Sequence, residues 1–425
     1  GILARRGFSI TDDEREADVI IVNTCCFIGD AKEESIRTIL DMARWKEEGC
    51  CRALVVCGCL AERYRDEVLA EMPEVDAVVG TAAYDEIASV LDSVLEKHEP
   101  ETYFRDVNLT PAPAGRRLIT TGGHFAFLKI AEGCDKHCTY CVIPSVRGRY
   151  RSVPMEELTA QAADLAAQGV RELILVAQET TLYGTDLCGR KMLPELLRKL
   201  CAIDGLVWIR ILYCYPEEIT DELIEVIRTE DKVCSYLDIP IQHASDAVLR
   251  RMGRKTVRRE LEERIAVLRR EVPGIALRTT LISGFPGETE EDHQILLDFV
   301  RRMKFDRLGV FAYSQEEDTP AALLPDQVPE ELREKRRDEI MAIQQKIAFA
   351  GSRRMAGRDL MVLIEGKMPE DDVFIGRTYR DAPDVDGFIF VKAGRELMTG
   401  DFVRVHVTGS SDYDLIGELD DELAE

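Results

Sequence analysis

No apolar run in this chain approaches the roughly 20 residues that a membrane-crossing helix needs, and its start lacks the charged, apolar and small-residue pattern of a secretory signal. With 32% of 425 residues charged, the chain reads as soluble, with no membrane partner. Basic charge is also scarce. Lys and Arg number 55 against 79 Asp and Glu, a net charge of −24, whereas nucleic-acid binders show a basic stripe or patch. Direct nucleic-acid binding is therefore not expected. Only a local groove is left open, from Arg147, Arg149, Arg151 and the Arg-rich run 250–259, and solvated faces account for these arginines equally well. A disulfide framework is missing too: 13 cysteines is an odd number, and the chain is no small secreted scaffold in need of staples. Thiolate metal ligands in a reducing cytoplasm fit better.

What is present is a run of three cysteines, Gly133-Cys134-Asp135-Lys136-His137-Cys138-Thr139-Tyr140-Cys141. The CxxxCxxC spacing places three thiolates in one short loop. They can hold three irons of a four-iron cluster and leave the fourth without a protein ligand, open to a substrate or cofactor. A structural zinc loop would need a fourth Cys or His close by, because such sites are closed and tetrahedral. His137 lies between two of the cysteines, where reaching the same metal is strained.

The length allows two or three domains, and three patterns follow one another. Residues 1–98 alternate apolar runs (17–25, 53–57, 76–80) with helical stretches (31–48, 62–71, 84–97), which predicts a parallel sheet with helices on its faces. Ligands of such sheets sit beyond the carboxyl ends of the strands, and Cys25 and Cys59 fall there. Residues 99–123, polar and with Pro111 and Pro113, read as a linker. A second alternation fills 124–350, with strands at 125–130, 172–178, 207–213, 236–242, 276–283 and 307–314. The helices expected between them are 156–168, 194–201, 221–228, 257–271 and 290–304. Six such units make a (β/α)6-type partial barrel with chemistry at the strand C-termini. The cysteine loop follows its first strand. After a helix over 329–350, residues 351–425 change to short alternating strands at 360–364, 373–375, 388–391 and 402–407, a small all-β barrel. The whole is α/β with an all-β C-terminal domain. Over 359–425 about 17 acidic residues face about 6 basic ones, which suits a basic protein partner.

The run Cys134 to Cys141, with an aromatic residue before its last cysteine, resembles the radical-SAM signature. The surrounding words are similar to those of the radical-SAM methylthiotransferases over nearly the whole chain. They are Val176-Ala177-Gln178-Glu179-Thr180-Thr181, Leu237-Asp238-Ile239-Pro240-Ile241-Gln242-His243, Ser283-Gly284-Phe285-Pro286-Gly287-Glu288-Thr289 and Tyr313-Ser314-Gln315-Glu316-Glu317-Asp318-Thr319. Within that family the chain is most similar to the branch that methylthiolates an aspartate of ribosomal protein twelve of the small subunit. The segment Asp381-Ala382-Pro383-Asp384-Val385-Asp386-Gly387 resembles that branch's TRAM domain.

The resemblance implies two [4Fe-4S] clusters and S-adenosylmethionine (SAM). Cys134, Cys138 and Cys141 would carry the catalytic, SAM-binding cluster, and the cofactor would supply the radical chemistry while the protein positions it. Tyr140, Gln178, Glu179, Gln242 and Phe311 would border SAM, though each also has a plain packing or turn reading. Cys25 and Cys59 would hold two corners of a second, sulfur-delivering cluster. Its third cysteine has no counterpart here, and with no initiator Met the N-terminal domain is expected to be truncated, leaving that cluster in doubt. Cys26 and Cys57 are neighbours that read as buried apolar residues, and Cys50, Cys51, Cys188, Cys201, Cys214 and Cys234 read as structural. The acidic runs 370–372 and 420–422 read as solvated surface. One SAM would supply the methyl group and a second the radical that abstracts hydrogen from the aspartate β-carbon. The family further implies an electron donor such as flavodoxin or ferredoxin and a small-subunit ribosomal protein as substrate, met through the acidic C-terminal barrel. Two other readings stand beside this one. A tRNA adenosine methylthiotransferase would need a basic terminal barrel, and a non-catalytic iron–sulfur or zinc-binding assembly factor would leave the position of the cysteine loop unexplained.

Overall fold

The computed structural model describes residues 1–97, 99–109, 115, 117–369 and 372–420. Pro111 and Pro113 of the expected linker, and Glu370, Asp371, Asp421 and Glu422 of the acidic runs, lie outside the described residues. The chain forms two compact units. The first combines Gly1–Leu118, Glu132–Arg151 and Ser314–Leu323; the second combines Ile119–Ala131, Ser152–Tyr313 and Leu324–Glu425.

The first unit is built on a parallel sheet of four strands in chain order, Val19–Thr24, Ala53–Gly58, Ala77–Val79 and Glu101–Tyr103. Every residue of the second strand is buried, because a parallel strand covered on both faces has no solvent side. Leu54 and Val56 pack with Ile39, Leu60 and Val68 on one face. Val55 and Cys57 pack with Val90, Leu91 and Val94 on the other, as the two-residue side-chain period requires. Two expected helices are broken in the structure. The stretch 31–48 forms Gly29–Ala43 and Trp45–Glu48, and 62–71 forms Cys59–Tyr64 and Asp66–Glu71. At the second break Arg65 takes a left-handed φ of 45° and its guanidinium returns to the buried carboxylate of Glu62 (2.7 Å). The other oxygen of Glu62 accepts from Thr81 N (2.8 Å), so a tertiary contact overrides helical periodicity. Within the polar stretch read as a linker, Glu101–Tyr103 adds the sheet's edge strand through backbone bonds, with no apolar run to announce it.

The second unit contains six parallel strands in an open sheet, spatially ordered Arg307–Ala312, Ala276–Ser283, Val233–Asp238, Trp208–Ile211, Glu172–Val176 and Phe125–Lys129. This is the expected partial barrel. The strand expected over 236–242 stops at Asp238, since Pro240 has no N–H to give to a ladder. Gln242 is nevertheless tied to the next strand, its N–H donating to Thr280 O (2.9 Å) and its carbonyl accepting from Ile282 N (2.8 Å). The 24-residue helix Glu330–Arg353 leads to a closed barrel of Asp359–Lys367, Val373–Thr378, Ile389–Lys392, Asp414–Leu419 and Phe402–Ser411. The strand Asp414–Leu419 was not expected from the sequence; it pairs with both Ile389–Lys392 and Phe402–Ser411 and closes the barrel.

One face of the open sheet packs on this barrel. Trp208, Tyr236 and Ala276 meet Leu363, Ala382 and Phe402. Beside them lies a buried charge network. Glu172 accepts from Arg210 Nε (2.8 Å) and from Arg377 Nη2 (2.7 Å), all three side chains being fully buried. Arg377 also reaches Glu365 (2.6 Å), Tyr236 donates to Asp386 (2.7 Å), and Arg307 pairs with Asp381. Two acids of the segment 381–387 are therefore turned into the fold and do not contribute to the barrel's outward charge.

Candidate functional site

The cysteine loop follows the short strand Ala131–Glu132, and its shape rests on two left-handed residues. Gly133 (φ 80°) precedes Cys134, and a Cβ there would collide with the carbonyl of Arg149. His137 (φ 52°) sits between the cysteines and is exposed. The loop is pinned on three sides. Cys134 N donates to Gly148 O (3.1 Å), Cys141 N to Cys138 O (3.0 Å), and Ala321 N to Thr139 O (2.8 Å). Cys134 and Cys138 are buried, Cys141 is half-buried, and all three are free thiols. Burial pushes the Cys141 thiol up to about 12, with Cys138 and Cys134 adding to the rise. A buried thiol whose ionisation its neighbours oppose needs a cationic centre to become a thiolate, and a cluster would meet that need at Cys141. Among the described residues no three of His, Cys, Asp and Glu are placed so as to hold a single metal ion. A cluster instead seats each thiolate on its own iron.

Cys25 and Cys59 come together through strand register. Thr24 is opposite Gly58 in the parallel pair Val19–Thr24 and Ala53–Gly58, so the two cysteines leave adjacent strand ends side by side. Ser35 of the helix Gly29–Ala43 holds the Cys25 backbone, accepting from its N–H (3.0 Å) and donating to its carbonyl (2.9 Å). Gly58 turns the chain with φ 103°, and a Cβ there would strike Thr24 O. Cys25 is exposed and Cys59 half-buried, whereas Cys26 and Cys57 are buried. Burial pushes both of the latter thiols up to about 11. Cys51, Cys214 and Cys234 are also buried and Cys201 half-buried, but Cys50 and Cys188 are exposed.

Arg147, which the sequence offers as part of a groove or a solvated face, has a specific partner. From the end of the helix Ile143–Arg147, directly after the cysteine loop, it donates to Cys59 Sγ from Nε (3.2 Å) and Nη2 (3.1 Å). Its Nη1 lies 3.6 Å from Glu132. Burial pushes the Cys59 thiol up while Arg147 pulls it back, with a net rise. The segment Ser314–Leu323 braces the same unit. Arg63 pairs with buried Glu316 (3.1 Å) and donates to Cys26 O (3.2 Å), Lys32 approaches Glu317 (3.5 Å), and Ser314 Oγ accepts from Gly29 N (3.1 Å). No local periodicity announces these contacts, whose partners are 253 and 285 residues apart in Arg63–Glu316 and Gly29–Ser314.

The remaining expected SAM neighbours occupy different settings. Gln178 is half-buried just past the strand Glu172–Val176. Glu179 is fully buried, and its Oε1 accepts from Thr181 N (2.9 Å) and from the Thr181 hydroxyl, so one oxygen serves the turn. Gln242 is half-buried with a left-handed φ of 71°. Phe311 is half-exposed on the edge strand of the open sheet. Tyr140 is half-buried inside the cysteine loop.

Three family descriptions match the chain: Uncharacterized protein family UPF0004 over residues 1–80, the Radical SAM superfamily over 128–300 and the TRAM domain over 356–419. The ribosomal protein uS12 methylthiotransferase RimO of Lachnoclostridium phytofermentans is 62% identical, over 98% of this chain and 94% of that protein. The chain belongs to the RimO family of radical-SAM methylthiotransferases. The family's proteins from Geobacter sulfurreducens and Clostridioides difficile, named likewise, are 51% and 48% identical, covering 99% and 100% of this chain and 94% and 95% of their own. As a member of the RimO family the chain is an enzyme that uses SAM and an iron–sulfur cluster. A solved radical-SAM methyltransferase, TsrM from Kitasatospora setae with cobalamin and a [4Fe-4S] cluster bound, superposes with a TM-score of 0.54. It is 15% identical and covers 73% of this chain and 67% of its own, a likeness of fold. Among the described residues no helix is long and apolar enough to cross a membrane.

Proposed function

We propose that this chain adds a methylthio group to the β-carbon of an aspartate in ribosomal protein uS12, the protein named in its RimO relatives. The observation that carries the reading is identity of 62% over nearly the full length in a chain whose two candidate cysteine sets share one compact unit. In this reading 1–98 carries the N-terminal site, 99–123 adds the edge strand Glu101–Tyr103 to its sheet and then links it onward, 124–350 is the radical-SAM domain and 351–425 the TRAM barrel. Cys134, Cys138 and Cys141 would hold a [4Fe-4S] cluster that binds SAM, while Cys25 and Cys59 would supply two ligands of a second one. When bound, the first cluster and SAM together supply the radical that opens the substrate C–H bond.

The chain's own residues bind and orient. The left-handed turns at Gly133 and His137 and the backbone bonds of Cys134, Thr139 and Cys141 fix the loop that carries the three thiols. Tyr140, Gln178, Glu179, Gln242 and Phe311 border SAM, with Gln242 offered by its tie to Thr280 and Ile282. The outward acids of the C-terminal barrel dock a basic protein surface, at work in the cytoplasm with a flavodoxin- or ferredoxin-like electron donor. The test is the mass of uS12 after incubation with the reconstituted full-length enzyme, SAM and a reductant. A gain of one methylthio group in place of a hydrogen, located on an aspartate, is expected; an unchanged mass refutes the reading.

A further inference from the structure

Arg147 spends two of its N–H groups on one sulfur. A guanidinium fork ordinarily seeks a carboxylate, and Glu132 stands within 3.6 Å, yet the Nε and Nη2 edge faces Cys59. A neutral thiol is a weak acceptor, a poor return for a side chain that is only 17% exposed. A metal-bound thiolate is anionic and matches the fork. The backbone around Arg147 is held from both sides, since Thr81 Oγ1 donates to Val146 O (2.7 Å) and Gly148 O accepts from Cys134 N (3.1 Å). Gly148, with φ 71°, then ends the helix. The guanidinium is thus anchored to the cysteine loop while it grips a cysteine 88 residues away in sequence.

We propose that Arg147 is a positioning residue for the N-terminal iron site: it holds the Cys59 sulfur in its ligating orientation and tunes that site's reduction potential through two hydrogen bonds. The inference rests on Cys25 and Cys59 being cluster ligands. Hydrogen bonds to ligand sulfurs are among the features that set cluster potentials, and partners of metal ligands are worth about 10–100-fold in metal affinity or activity. Because the same residue is fastened to the CxxxCxxC loop, displacement of that loop reaches Cys59 directly.

The test isolates the N-terminal site. In the full-length protein Cys134→Ala, Cys138→Ala and Cys141→Ala are combined, the protein is reconstituted with iron and sulfide, and Arg147→Leu and Arg147→Lys are added separately. Iron loss to a chelator and the reduction midpoint followed by electron paramagnetic resonance are the readouts, with circular dichroism reporting the fold. Arg147→Leu is expected to lose iron about 10–100-fold faster and to shift the midpoint to more negative potential. Arg147→Lys keeps the charge without the fork and should fall between; it carries the test if the Leu variant does not fold. A parental midpoint and parental iron retention in the Lys and Leu variants overturn the role of Arg147 alone. A triple-Ala parent that binds no iron overturns the assignment of Cys25 and Cys59 and the inference with it.

Discussion

Replacing Glu172 with Gln tests how the C-terminal barrel is held to the open sheet. Glu172 is fully buried and is the carboxylate partner of Arg210 (2.8 Å) and, from the barrel, Arg377 (2.7 Å). Gln keeps the shape but removes the charge and turns an amide N–H₂ toward one guanidinium. Removing one partner of a buried ion pair costs about 3–5 kcal/mol, because the other charge stays buried and uncompensated. Arg377 retains Glu365 at 2.6 Å, whereas Arg210 keeps backbone carbonyls of Tyr379 (2.6 Å) and Thr378 (3.4 Å), so about 3 kcal/mol is expected. The pH dependence has a definite sign. Burial raises the Glu172 pKa, but Arg210 and Arg377 together outweigh it and hold it below its ordinary value of 4.5. A carboxylate depressed on folding contributes stability above its unfolded pKa and loses it as pH falls through the folded one. The gap between parent and Glu172→Gln should therefore be flat above pH 4.5 and close in stronger acid. Trp208 packs edge-on against Phe402 at this interface, centroids 4.8 Å apart. With Trp45→Phe it becomes the sole Trp, so urea unfolding followed by its fluorescence reads this interface. A loss below about 1 kcal/mol at pH 7, the range of exposed pairs, would refute the reasoning.

Gly133→Ala forces an L-residue into a left-handed backbone, costing roughly 1–2 kcal/mol, and drives a methyl into the Arg149 carbonyl; iron bound per chain should fall while circular dichroism is preserved. Cys141→Ala should lower the iron content of the reconstituted protein, whereas Cys201→Ala, at a position with no ligand spacing, should leave it unchanged. Glu62→Ala strips the anchor from Thr81 N and Arg65 and should destabilise the protein by about 1.5–3 kcal/mol in urea, with faster iron loss from the N-terminal site proposed at Cys59.

The cysteine spacing, the six parallel strands and the small final barrel were legible because each is a local pattern: three sulfurs in one loop, apolar runs between amphipathic helices, and alternation with a two-residue period. Other elements left weaker traces. Glu101–Tyr103 has no apolar run and exists as a strand through backbone pairing at a sheet edge. Asp414–Leu419 is flanked by acids that resemble surface, yet its pairing on both sides closes the barrel. The word from Ser314 to Thr319 was readable as a family resemblance, but its task of bracing Arg63, Lys32 and Gly29 was not.

By itself the sequence determined which side chains are available for chemistry and which segments must bury a face, since spacing and periodicity are written along the chain. Only the tertiary structure decided the partners of the charges. Strand register set Cys25 beside Cys59, a helix end brought Arg147 onto Cys59, and docking of the barrel surrounded Glu172 with two arginines. The physical reason is that an apolar side chain needs only burial, which periodicity records, whereas a buried charge needs one particular partner at hydrogen-bond distance, and here those partners lie up to 253 residues away.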